Sequence, residues 1–241
     1  MIGTLINIAT VLLGGTLGLL FGARLPERLK GTVTAGMGLF TAAIGMQMFL
    51  KTENPLVVLG SLILGALLGE WWKIEDGLRN LGGMLEKRFN GGDGENETSR
   101  RFAPSGDFVR GFLTASLIFC VGPMTILGSI QDGLAGNYNL LAVKSVLDGF
   151  TALAFASTLG VGVLFSATVI LVYQGGISLL AAQLDQIVNP AMMNEMTAAG
   201  GVMLLGLAIS SMLEIKLIRV GNFLPALVVA PLIVAILALI N

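Results

Sequence analysis

The sequence predicts an all-α, polytopic membrane helix bundle, and three observations carry that expectation. The first is composition: 54% of the 241 residues are hydrophobic and only 12% are charged, about half the charge of an ordinary soluble domain. The second is a series of apolar runs, each near the ~17–25 residues that a membrane-spanning helix needs. The third is the uneven placement of Lys and Arg between those runs.

The runs cover residues 2–22, 32–50, 55–72, 108–131, 140–159, 161–182, 197–213 and 222–240, which predicts eight spans. Only Gly160-Val-Gly162 separates the fifth from the sixth; without a turn there the count falls to seven. With the N-terminus outside the cytoplasm, all of the 14 Lys and Arg residues except Lys51 and Lys144 fall on the cytoplasmic side, as the positive-inside rule requires. Seven spans would move Lys216 and Arg219 to the wrong side, so charge favours eight. Both termini are then expected outside the cytoplasm of a bacterial inner membrane. The first run has no basic leader and exceeds the length of a cleavable signal core, so it is expected to stay as the first span.

Composition also excludes several chemistries. A net charge of −1 offers nucleic acid no basic surface. The chain has no histidine, which removes His-ligated zinc and any Ser–His or Cys–His catalytic pair. The single Cys120 cannot form an internal disulfide. No GxxxxGK[ST] nucleotide loop is present. No cofactor is expected, and the expected partners are the lipid bilayer and a small solute or ion.

The chain is expected to form one transmembrane domain over 1–241, with a cytoplasmic loop at 73–107. Ile74, Leu78, Leu81, Leu85 and Phe89 recur at helical spacing among charges, which predicts an interfacial amphipathic helix over 73–89, anchored by Trp71 and Trp72. Residues 90–107 are nearly devoid of apolar side chains and read as a disordered linker. Gly14, Gly18 and Gly22, and again Gly65 and Gly69, lie four apart. Such faces allow close helix packing, within the chain or between copies in a homo-oligomer.

The first three and last three spans echo each other. Ala9-Thr-Val-Leu-Leu-Gly-Gly15 resembles Ile170-Leu-Val-Tyr-Gln-Gly-Gly176, and Thr34-Ala-Gly-Met-Gly-Leu-Phe40 matches Thr197-Ala-Ala-Gly-Gly-Val-Met203. Under the predicted topology the repeat is inverted, three spans on either side of a central two. Matched glycine-interrupted helices point to a transporter site at the repeat interface, where unwound backbone at Gly14-Gly15 and Gly175-Gly176 would face a solute.

The central stretch supplies the candidate chemistry. Cys120-Val-Gly-Pro-Met-Thr-Ile-Leu-Gly-Ser-Ile-Gln-Asp-Gly133 places Gly122 and Pro123 at membrane depth, where proline removes a backbone donor and breaks the helix. Thr125, Ser129, Gln131 and Asp132 follow. The next span carries Lys144 and Asp148 four apart on one face. A charged side chain at the centre of a span costs about 2.5–3.5 kcal/mol, so Asp148 is expected to face the protein interior. It reads either as half of a self-neutralising Lys144–Asp148 pair or as a carboxylate that binds a cation or carries a proton. Asp132 could close the helix or turn towards Asp148, with Thr125, Ser129 and Gln131 adding neutral oxygens suited to Na⁺ or Mg²⁺. Asn7, Thr10, Gln47 and Gln174 are weaker candidates, which could serve only as interhelical hydrogen bonds.

The Met1-Ile-Gly-Thr-Leu-Ile-Asn-Ile-Ala-Thr10 start, the Cys120–Gly133 block and Lys144-Ser-Val-Leu-Asp-Gly149 are together similar to the family called domain of unknown function 554. The similarity covers the whole chain and implies a bacterial multi-span membrane protein, often called a transport protein, with no substrate and no ligand residues attached.

The leading functional expectation is a gradient-driven secondary transporter or channel, not an enzyme, with gating between the repeats. Two alternatives stand beside it: a scaffold or regulator that works through the 73–107 loop, and an intramembrane enzyme using Asp132 and Asp148 as an acid pair.

Overall fold

The computed structural model describes residues 1–24, 26–90, 105–185 and 188–240, and all secondary structure among them is helical. In chain order the helices are α1 (Ile2–Gly22), α2 (Glu27–Phe49), α3 (Pro55–Trp71), α4 (Ile74–Asn90), α5 (Ser105–Cys120), α6 (Pro123–Ala135), α7 (Asn139–Leu159), α8 (Gly162–Leu179), α9 (Ala181–Asp185), α10 (Pro190–Leu207) and α11 (Ala226–Ile240). A π-helical turn at Ala208–Met212 prolongs α10, and a 3₁₀ turn at Val220–Phe223 leads into α11. Six of these segments are long and apolar enough to cross a membrane alone. The bent pairs α3–α4 (55°) and α5–α6 (63°) bring the number to eight if each pair is one span.

Helix α1 shows why such a chain belongs in lipid. Its buried face is Gly3, Thr4, Asn7, Val11, Gly14, Gly15, Gly18 and Gly22, while Leu5, Leu13, Leu20 and Phe21 are more than half exposed. A soluble helix would bury the leucines. In a bilayer, leucine gains nothing by leaving the acyl chains, and small residues go inside because they let backbones approach. A Cβ at Gly14, Gly18 or Gly22 would overlap the carbonyl of Gly149, Leu153 or Ser157 on α7. Gly65 and Gly69 of α3 meet Ala226 and Asn222 in the same way. Both glycine faces are therefore occupied by helices of the same chain.

The joint between the fifth and sixth expected spans is a true turn. Gly160 has φ 80°, a left-handed value suited to glycine, and α8 starts two residues later. Asp148, 11 residues before the end of α7, and Gln174, 12 residues after the start of α8, both reach Asn7, so the two helices fold back as a hairpin. Helices α3 and α10 start by one device. Asn54 and Asn189 are N-caps, their side chains accepting from Leu56 N (3.1 Å) and Met192 N (2.8 Å), and each is followed by proline at the first helical position. That cap starts α10 at Pro190, seven residues before the apolar run at 197.

Three expectations need correction. Helices α1 and α8 run unbroken through Gly14-Gly15 and Gly175-Gly176, because glycine's helix penalty of ~1 kcal/mol is outweighed by packing. The expected linker at 90–107 lies outside the described residues at 91–104, but α5 already begins at Ser105 and α4 extends through Asn90. The helices also group differently from three, two and three. One compact unit holds Met1–Thr34, Leu78–Cys120 and Met124–Ala181; the other holds Ala35–Gly77, Val121–Pro123 and Ala182–Asn241. Thus α1 packs chiefly with α7 and α8, in the unit that also holds α6 and all of α5.

The second unit has its buried acids fully engaged. Glu195, 2% exposed, accepts from Thr52 Oγ1 (2.7 Å), Glu53 N (2.8 Å) and Asn54 N (2.9 Å), which ties the α2–α3 turn to α10. Glu75 accepts from Gly221 N and donates its own amide to Asn222 Oδ1, both at 2.8 Å.

Candidate functional site

The first unit carries the polar cluster. Asp148 is the tenth of the 21 residues of α7, so at ~1.5 Å per residue it lies near the middle of the helix. Its Oδ2 takes the ammonium of Lys144, one turn earlier, and the Nδ2 of Asn7 at 2.9 Å. The same Nδ2 donates to Gln174 Oε1 at 3.0 Å. The intrahelical pair expected from the sequence thus forms, but both partners are buried, and α1 and α8 add to it.

An ionised carboxylate can only accept hydrogen bonds, so Asp148 dictates that Asn7 turns its amide nitrogen towards it. Asn7 then has nitrogen to give Gln174, which must answer with oxygen. The consequence is a displaced imbalance: Asn7 Oδ1 and Gln174 Nε2 are both buried without a partner. Neighbouring Thr4 Oγ1 on α1 and Ser178 Oγ on α8 are in the same condition, as is Asp132 Oδ1 on α6. Buried polar atoms are normally satisfied, so each such atom calls for an explanation.

Asp132 does not join Asp148. Its Oδ2 accepts from Gly3 N (3.0 Å) and pairs with the Met1 ammonium at 3.1 Å. Gly3 lies four residues before Asn7 on α1, so the two acids contact that helix about 6 Å apart along its axis. Among the described residues no hydrogen bond links the two carboxylates, and no three His, Cys, Asp or Glu side chains gather to hold a metal.

The other predicted residues divide. Gly122 and Pro123 do mark a break between α5 and α6. In a continuous helix the amide of residue 123 would donate to the Phe119 carbonyl; proline has none. Thr125 Oγ1 donates there instead, at 3.2 Å, and Ser129 Oγ donates to the Thr125 carbonyl. The Thr125 hydroxyl proton thus secures the broken backbone, the Ser129 proton returns to its own helix, and neither is given to Asp132 or Asp148. Gln131 is exposed and outside the cluster, because it lies on the face of α6 opposite to Ser129 and the adjoining buried positions. Gly14 and Gly15 serve helix contacts. Gly175 faces Met1 and Thr4, whereas Gly176 has open space where a Cβ would stand.

Sequence reasoning passed over Thr4 and Ser178 and underrated Gln174. A signal for them existed: Thr4 and Asn7 are three apart, Gln174 and Ser178 four apart, so each pair shares a helix face. Glu195 was missed because the apolar run at 197 excluded it from the span.

The family described as "Protein of unknown function (DUF554)" matches residues 2–235. The chain is 36% identical over 232 residues to "Uncharacterized protein YqgA" of Escherichia coli, covering 95% of this chain and 94% of that protein. It is 30% identical over 241 residues to "Uncharacterized membrane protein YdfK" of Bacillus subtilis, covering 98% and 97%. No solved structure matches.

Proposed function

The chain belongs to the DUF554 family of membrane proteins, and from that premise we propose that it is a gradient-driven secondary transporter or channel for a small solute or ion. The observation that carries this reading is the pair of partnerless buried polar atoms on the relay that leads from Asp148, Asn7 Oδ1 and Gln174 Nε2, with Thr4 Oγ1 and Ser178 Oγ open about one turn further along α1 and α8. A purely structural polar cluster in a membrane bundle would close its hydrogen bonds, because an open one is costly. A cluster left open between three helices at membrane depth suits a transient polar occupant. The Lys and Arg asymmetry supports a bacterial inner-membrane location with both termini outside the cytoplasm.

The test is flux through liposomes containing the purified protein, for a panel of alkali cations, small anions and neutral metabolites. Protein-dependent flux of one class, reduced at least tenfold in Asp148→Asn, is the expected outcome. Folded, reconstituted protein that passes none of the panel would sink the transporter reading in favour of a scaffold. Deleting residues 91–104 should leave flux in place, whereas a regulator working through that loop would lose its effect.

A further inference from the structure

We propose, resting on the transporter reading above, that the site carries a small monoanion together with one proton: the proton is taken by Asp148, and the anion by the Lys144 ammonium that the proton displaces.

The inference starts from charge. Lys144 and Asp148 are both buried and neutralise one another. Breaking such a pair by removing one charge leaves the other buried and uncompensated, which is strongly unfavourable. Protonation of Asp148 does this to Lys144. A proton arriving from water adds to a carboxylate oxygen and converts the acceptor into a neutral acid; no other bond changes. The buried ammonium then lacks its counterion, and a small anion restores neutrality. An anion arriving alone would face a Lys144 already satisfied by Asp148. Proton and anion therefore favour each other's binding, and by linkage the coupling is reciprocal.

The atoms around the pair fit both loads. Gln174 Nε2 is a pure donor without a partner, and it sits one hydrogen bond beyond Asn7 from Asp148. It would be a second ligand for an anion on Lys144, with the Thr4 and Ser178 hydroxyls further along α1 and α8. Asn7 Oδ1, also partnerless, can accept the new carboxylic proton after the amide rotates. A bare cation has a poorer site here: it must compete with a tethered ammonium for the single Asp148 carboxylate.

Other titratable groups do not produce the effect. On the elements packed around the pair the nearest are Cys120 at the end of α5 and Tyr173 on α8, while Arg110 stands at the opposite end of α5. At the start of α1 stands the Met1 ammonium, paired with Asp132 of α6. A thiol and a phenol ordinarily titrate at about 8.5 and 10, above the window of the test.

The test is the melting point of the purified full chain, titrated with acetate, chloride, sodium or potassium between about pH 5 and about pH 8. It covers wild type, Asp148→Asn and the neutral double variant Lys144→Met/Asp148→Asn. In wild type, the apparent Kd for acetate or chloride should fall about tenfold per unit drop in pH while Asp148 is mostly ionised, the signature of one proton per anion. Asp148→Asn should bind the anion with no pH slope, and the double variant should lose it. Should Asp148→Asn not fold, the wild-type slope and the double variant still decide. A shift from sodium or potassium that disappears in Asp148→Asn overturns the anion and keeps the transporter. No anion shift in a protein that carries flux overturns the inference alone; no shift and no flux removes both readings.

Discussion

Asn7 on α1 gives one amide nitrogen to two acceptors, Asp148 Oδ2 at 2.9 Å and Gln174 Oε1 at 3.0 Å. It thereby joins three helices at the only point where the first unit buries an intrahelical ion pair among its described residues. Replacing Asn7 with Leu should cost about 1–2 kcal/mol, one charge-assisted bond partly compensated in the membrane. A double-mutant cycle with Gln174→Leu in denaturant unfolding should show coupling, because the second substitution removes a partner the first has already stranded. Additive effects would mean that the relay does not act as a unit.

The ion pair itself should behave asymmetrically. Lys144→Met alone and Asp148→Asn alone each leave a buried charge or an altered partner and should cost about 3–5 kcal/mol without ligand. The double variant should recover most of that. Unfolding midpoints of the three proteins, compared at one pH, measure it; equal losses in all three would show that the pair matters for packing and not for charge.

The two kinds of glycine separate cleanly. Gly14→Ala drives a Cβ into the carbonyl of Gly149 and forces α1 away from α7, while Gly176→Ala enters open space on a continuous helix. The first should lower the melting point steeply. The second should be neutral or raise stability by up to ~1 kcal/mol, the helix propensity gained by replacing glycine.

Glu195 should be necessary for the order of the α2–α3 turn. Glu195→Ala removes three hydrogen bonds at once, for about 2–3 kcal/mol. Hydrogen exchange at the Glu53 and Asn54 amides should accelerate by at least tenfold. Glu195→Gln, which keeps one acceptor oxygen, should fall between.

Topology is tested by labelling. With Cys120 replaced by Ala, a cysteine placed at residue 94 should react with a membrane-impermeant maleimide only after the cells are opened. One at Thr52 should react in intact cells. The reverse pattern would turn the bundle over and leave its internal packing unchanged.

Much of this was legible in local sequence. Hydropathy located each of the six membrane-length helices, Gly122-Pro123 and Gly160 marked the two central joints, and the i, i+4 spacing paired Lys144 with Asp148. These are properties of a segment read against its solvent: an apolar run long enough for a bilayer, a missing amide, a helical pitch. Start sites slipped at α2, which begins at Glu27 and not at 32, and at α10, where an Asn-Pro cap outran the apolar signal.

What only the tertiary structure decided is which helices meet. Asn7 and Asp148 are 141 residues apart, and no local pattern announces their contact. In water, an amphipathic stripe tells which face of a helix is buried. In lipid every face of α1 is apolar or small, and the choice falls to shape: glycines seat against carbonyls of α7, and that seating delivers Asn7 to Asp148. The same packing seats Gly14 and Gly15 against α7 and α8, leaves Gln131 exposed, and gives Asp132 to the start of α1. Sequence therefore determined that the chain spans a membrane and carries a charge pair midway through one helix. Close packing determined which neutral side chains surround that pair, and which of their atoms stay open.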